Sequence, residues 1–164
     1  MQQNYSKAQF FGQLSDLIEN WLFTSFNSLA EQNTALIREL CDILGLQKQF
    51  YSSSENPSSK LRSERVFELL RWSGADFYYC ANGSFDYMFE EGIFPIADTE
   101  VFFQDFKTEP YDQVGSPEKF VPSLSVLDAL FNVGPEATGE LIRSGTKKWI
   151  TWDEMVKKRS AQGE

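Results

Sequence analysis

Three times along this chain an amphipathic helical pattern gives way to a short strand-like run, and that alternation constrains the fold more than any other feature. Phe10, Phe11, Leu14, Leu17, Ile18, Trp21 and Leu22 fall on one face of a first helix. A second helix follows Asn27-Ser28, carries Leu29, Leu36, Ile37, Leu40, Ile43 and Leu44, and stops at Gly45. Gln47 to Tyr51 is then expected as a short strand running into a serine-rich loop, Ser52 to Ser59. A third helix covers Lys60 to Trp72, with Val66, Leu69 and Leu70 inward and Gly74 as its stop. Asp76–Cys80 forms the second strand, Ala81–Ser84 a loop, Phe85–Glu91 a short helical piece, and Glu100–Gln104 the third strand. Hairpin signals between strands are lacking, since Asn82-Gly83 precedes a helix. The expected class is therefore α/β: three layers, a short and mainly parallel sheet flanked by helices, Rossmann-like but incomplete, with C-terminal helices.

Three strands are few for a parallel sheet, and the chain opens directly into a helix. The expected organisation is a single α/β domain over 1–146, forming the later part of a larger domain, and a polar C-terminal tail over 147–164. Trp149, Ile150 and Trp152 would anchor that tail while its last residues fray. Gln104 to Lys119, with Pro110, Gly115 and Pro117, is expected as an irregular surface excursion.

The segment Phe120–Glu136 predicts a helix entered after Pro122, capped by Ser123 or Ser125, and carrying Val126, Leu127, Leu130 and Phe131 on its apolar side. It ends at Asn132-Val-Gly134, and Pro135 opens a second helical turn. Asp128 and Asn132, four apart, share a helical face beside the apolar stripe, which suits either a capping device or part of a site.

Composition closes several classes of function. A formal charge of −9 over 164 residues argues against a nucleic-acid surface, which needs clustered Lys and Arg, yet leaves room for one locally basic pocket. With no histidine, Ser-His-Asp and Cys-His catalysis are excluded, and most transition-metal sites with them. Cys41 and Cys80 have neither disulfide-framework nor metal-ligand spacing and are expected as buried thiols. The start has no apolar core of signal-peptide type, and no run reaches the roughly 18 apolar residues that span a bilayer, so a cytoplasmic protein is expected. Neither a cofactor nor a metal is implied.

In an open parallel sheet, ligands bind beyond the carboxyl ends of the strands. Ser53, Ser54 and Glu55 follow the first expected strand. Asn82 and Gly83 follow the second, with Asp86 and Tyr87 just beyond. Between them a helix begins around Ser63, whose free backbone N–H groups, with Arg65, suit a phosphate or carboxylate. Each cluster also has a bland reading: serine runs are often solvated loops, first-turn cations are often surface charge, and Gly83 can be a simple turn residue. Convergence at one sheet edge is what favours a ligand.

An ordered series of short motifs carries a resemblance. Asn33 within Ser28–Asn33, Leu44-Gly45, Ser53-Ser54-Glu55, Ser63-Glu64-Arg65, Gly74-Ala75-Asp76 with Tyr78, and Asp86-Tyr87 come first. Phe103-Gln104-Asp105 and Pro122–Ser125 through Asn132-Val-Gly134-Pro135 close it. In this order, over about Asn4 to Leu141, the chain resembles the WbqC-like protein family. The resemblance implies a role in surface-polysaccharide or O-antigen biosynthesis around a nucleotide-activated sugar or similar phosphorylated ligand. It further suggests transfer of an acyl or aminoacyl group to an amino sugar. Catalytic residues remain unassigned, and Asn33, Gln104, Asp128 and Asn132 are read as structural or supporting. The strand and Gln-Pro-Tyr loop with which family members usually begin are not in this sequence. The competing expectations are a non-catalytic binding or assembly module, or a truncated fragment whose open sheet edge allows a homodimer.

Overall fold

The computed structural model describes residues 2–115 and 119–162. The chain divides into two compact units, Met1–Gln49 with Thr108–Gly145, and Phe50–Lys107 with Thr146–Glu164.

The first unit is helical: α1 (Gln2–Tyr5), α2 (Phe11–Phe23), α3 (Leu29–Ile43) and α6 (Val126–Gly145). The apolar face of α2 packs on α6, where Ala8, Ile18 and Phe131 are buried and Leu14, Leu17, Leu36 and Leu127 close around them. The Phe131 ring meets Tyr5 at 5.2 Å and Phe11 edge-on at 5.1 Å between centroids, a geometry favoured by the ring quadrupoles. α2 and α3 are tied reciprocally, Trp21 Nε1 donating to the Gln32 carbonyl at 2.8 Å and Gln32 Nε2 to the Trp21 carbonyl at 3.2 Å. Ser28 caps α3 by accepting from the Glu31 N–H, while the Glu31 carboxylate accepts from the Asn27 N–H.

α6 is two helices joined at Gly134, whose φ of 80° and ψ of 173° break the helical path immediately before Pro135. Of the two expected caps, it is Ser125 that serves: its Oγ accepts from the Leu127 N–H and its carbonyl from the Asp128 N–H.

The second unit holds the sheet. β1 (Phe77–Cys80) and β2 (Glu100–Gln104) pair in parallel, and β3 (Trp149–Thr151) adds antiparallel to β2 with Phe103 opposite Ile150. α4 (Arg62–Ser73), α5 (Phe85–Glu91) and α7 (Trp152–Gln162) complete the unit. Leu70 of α4, Phe85 and Met88 of α5, Val101 and Phe103 of β2, Ile150 of β3 and Trp152 of α7 form its core. Alternation along the strands puts Phe77, Tyr79, Phe102 and Trp149 together on the opposite face, with Tyr79 and Phe102 stacked at 5.2 Å. α4 ends at Gly74 in the left-handed region, as its position after Ser73 requires.

The α/β class is confirmed, and the expected parallel pairing holds for β1 with β2. Two expectations are corrected. Gln47–Tyr51 forms no strand; Gln47, Lys48 and Gln49 are exposed and polar, and do not supply the half-buried surface on which a strand packs. The third strand comes instead from Trp149–Thr151, and the stretch expected as a polar tail anchored by Trp149, Ile150 and Trp152 forms β3 and α7. Fraying of Gly163 and Glu164, and the place of Pro117 in the excursion, lie outside the described residues. Residues 105–113 are irregular, as expected. Both cysteines are free but half-buried; burial pushes the Cys80 thiol up to about 11. Among the described residues no helix is long and apolar enough to cross a membrane.

Candidate functional site

β1 ends at Cys80 and hands the chain to a 3-10 turn, Asn82–Ser84, which leads straight into α5. Phe85 is buried there, against Phe103 and Trp152, and this anchors the turn at the carboxyl end of the strand. Asn82 and Gly83 of the turn and Asp86 of the first turn of α5 line a cleft of about 410 Å³. The facing wall is α7, through Met155, Lys158 and Arg159. Their i, i+3, i+4 spacing puts all three on one helical face.

Charge in this cleft is organised around Arg159. Its guanidinium bridges Asp86 Oδ1 at 2.8 Å and Glu90 Oε1 at 3.2 Å and lies 4.9 Å from the centre of the Phe89 ring. An arginine held on two carboxylates and an aromatic ring has its planar fork pre-oriented at the cleft edge. Lys158 is exposed beside it. Their helix is secured by Thr151-Trp-Asp-Glu154, a capping box: Thr151 Oγ1 accepts from the Glu154 N–H, and Glu154 Oε2 accepts from the Thr151 N–H at 2.8 Å. These Thr151 contacts hold the Glu154 carboxyl below the ordinary value of 4.5.

A second polar cluster forms around the other set of candidates. Ser53, Ser54 and Glu55 make a 3-10 turn, and Arg65 Nη2 donates to the Ser53 and Asn56 carbonyls at 2.8 and 2.6 Å. Arg65 Nη1 also approaches Glu68 at 3.5 Å. Ser63, fully buried, donates its backbone N–H to Glu91 Oε2 at 3.1 Å; its hydroxyl stands beside that carboxylate without completing a hydrogen bond. Glu91 is lowered by the neighbouring Ser63 side chain first, and by its N–H and Arg62, against partial desolvation.

Comparison with known proteins adds kinship to this geometry. A family model described as the WbqC-like protein family matches residues 1–140. The chain belongs to the WbqC-like protein family. It is also 29% identical over 136 residues to the Uncharacterized protein Rv1507c of Mycobacterium tuberculosis (strain ATCC 25618 / H37Rv), a match covering 82% of this chain and 58% of that protein. The chain thus spans less than two thirds of that relative's length. No solved structure matches.

In this WbqC-like chain, Asn82, Gly83 and Asp86 are brought together in one cleft, whereas Ser53, Ser54, Glu55 and Arg65 gather at the turn before α4 and line none of its walls. Tyr87, next to Asp86, is half-buried against the core, with the Arg62 guanidinium 5.4 Å from its ring centre. Gln104 pairs with Trp149 at the end of β2, and Asn33 is exposed on α3. Asp128 and Asn132 are buried in the helical unit, where Asn132 Oδ1 accepts the Val114 N–H and Asp128 accepts from Tyr111 and Gln113. Met155, Lys158 and Arg159 were not legible as site residues from the strand-end rule. The signal that marks them is the Thr151–Glu154 capping box, which announces a helix in a stretch otherwise too polar to suggest one.

Proposed function

We propose that this WbqC-like protein binds a nucleotide-activated sugar or a similar phosphorylated ligand in the cleft between the Asn82–Ser84 turn and α7. The observation that carries the reading is the meeting of Asn82, Gly83 and Asp86 at the carboxyl end of a parallel strand with Lys158 and Arg159. A cleft of about 410 Å³ lies within the range usual for small-molecule sites, roughly 300–1,000 Å³. Lys158 supplies positive charge for a diphosphate on a chain whose net charge is −9, and Arg159, whose charge Asp86 and Glu90 balance, offers guanidinium donors at the cleft edge. The Asn82 side chain and the Gly83 backbone offer donors and acceptors for sugar or base.

Family membership supports a place in surface-polysaccharide or O-antigen synthesis, with acyl or aminoacyl transfer to an amino sugar as the reaction. Such a transfer here would rest on positioning and electrostatic stabilisation, because the cleft residues include no nucleophile paired with a base. That same lining favours a second reading, a non-catalytic binding module in a biosynthetic assembly. Calorimetry with a panel of nucleotide sugars tests the binding they share, and radiolabelled acyl-donor assays separate them. Saturable heat that falls at least about tenfold in affinity in the Lys158→Ala/Arg159→Ala variant supports the site. No heat at millimolar ligand with folded protein sinks it.

A further inference from the structure

Asp128 sits in an unusual electrostatic position within the helical unit. The residue is 4% exposed, yet the donors that hold its carboxylate are neutral. Oδ2 accepts from the Tyr111 hydroxyl at 2.7 Å and the Gln113 amide at 2.9 Å, and Oδ1 accepts from the Asn132 amide at 3.2 Å. The Tyr5 phenol, also neutral, stands beside the same carboxylate, so these partners replace its hydration without bringing a positive charge. Removing such a group from water is costly unless other charge or hydrogen bonds replace its hydration.

The carboxylate also forms part of the wall of a cavity. About 390 Å³ of space is lined by Asp128 together with Tyr5, Gln113, Val121 and Leu124. Gln113 is locked in place, its amide donating to the Val121 carbonyl at 3.0 Å and its carbonyl accepting the Val121 N–H at 2.8 Å. The Tyr5 phenol is raised by burial first and by Asp128 beside it, so it stays neutral and adds no competing negative charge. A buried carboxylate beside a phenol ring attracts organic cations through charge and through the ring face. It repels phosphates and carboxylates. A hard divalent ion takes six or more oxygen ligands with several charges among them. A single carboxylate does not supply that set.

We propose that the Asp128 cavity is a binding site for a small ligand carrying a primary ammonium group, which supplies the positive charge that the neutral donors around Asp128 do not. The Val114 and Val121 amides, bonded to Asn132 and Gln113, report directly on this network. Amide chemical shifts of the whole chain are followed while ethanolamine is added, and in parallel ethylene glycol as its uncharged counterpart, at constant pH and ionic strength. The expected result is a saturable shift of both amides with ethanolamine, weaker by about tenfold or more with ethylene glycol and abolished by Asp128→Asn. Equal responses to the two probes, no saturable response, or a response retained in the folded Asp128→Asn protein overturns the proposal. Should Asp128→Asn fail to fold, Leu124→Trp at the half-exposed cavity wall replaces it, and undiminished ethanolamine binding in that variant overturns the proposal equally.

Discussion

A methyl group added at Gly134 would stand 2.8 Å from two carbons of the Phe10 ring while the backbone stayed at φ 80°. Both the left-handed conformation and the close approach require glycine there. Gly134→Ala is therefore expected to lower stability by about 2–6 kcal/mol, since strain and overpacking each cost about 1–3 kcal/mol. Gly45, at φ 66° with open space around it, isolates the conformational part, and Gly45→Ala should cost only about 1 kcal/mol. Urea denaturation of the two variants checks the difference; equal midpoints would show that Phe10 simply moves aside. Arg65 gives a second residue-level test, because its side chain joins α4 to the Ser53–Glu55 turn through two carbonyls. Losing charged hydrogen bonds costs about 1.5–3 kcal/mol each at most, so Arg65→Ala should destabilise measurably. Nucleotide-sugar affinity should hardly change in that variant, and a calorimetric loss of binding with unchanged stability would return Arg65 to the ligand.

Elements were legible where a periodic apolar stripe ended in a residue of special geometry. α4 stops at Gly74 and α6 breaks at Gly134-Pro135, and in both places the punctuation stands in the sequence. β1 and β2 are aromatic and β-branched enough to declare themselves. Strands are otherwise decided by their partners, which is why Gln47–Tyr51 looked like one and is not, and why three residues at Trp149–Thr151 escaped notice. α7 was hidden by its polar composition, and only its capping box betrays it. That box is also pH-sensitive. The folded-state pKa of Glu154 lies below the ordinary 4.5, so its contribution is fully present above 4.5 and disappears as pH falls through the lower folded value. Circular dichroism should show helix loss in that acid range, and Glu154→Gln should weaken the helix at neutral pH while flattening the acid-side dependence. An unchanged acid transition in Glu154→Gln would mean the capping carboxylate does not control α7.

Across the whole molecule, what the sequence could place were the groups local to one strand end. Asn82, Gly83 and Asp86 lie within five residues of each other and follow a recognisable strand, so the rule for parallel sheets finds them. Arg159, which pairs with Asp86 across 73 positions of chain, cannot be found that way, because nothing local in its sequence records which loop it will face. The same limit applies to Asp128, whose helix was legible but whose hold on Tyr111 and Gln113 depends on how an irregular segment returns. The Ser53 cluster illustrates the converse: a serine run beside a basic helix start suggested an anion site, and the guanidinium is instead engaged by carbonyls of its own turn. Amide chemical-shift mapping during addition of a uridine-diphosphate sugar therefore tests the central claim most directly. Binding in the proposed cleft predicts saturable shifts concentrated at Asn82–Asp86 and Met155–Arg159. Shifts centred on Ser53–Glu55 and Arg65, or no saturable shifts in the folded protein, would contradict it.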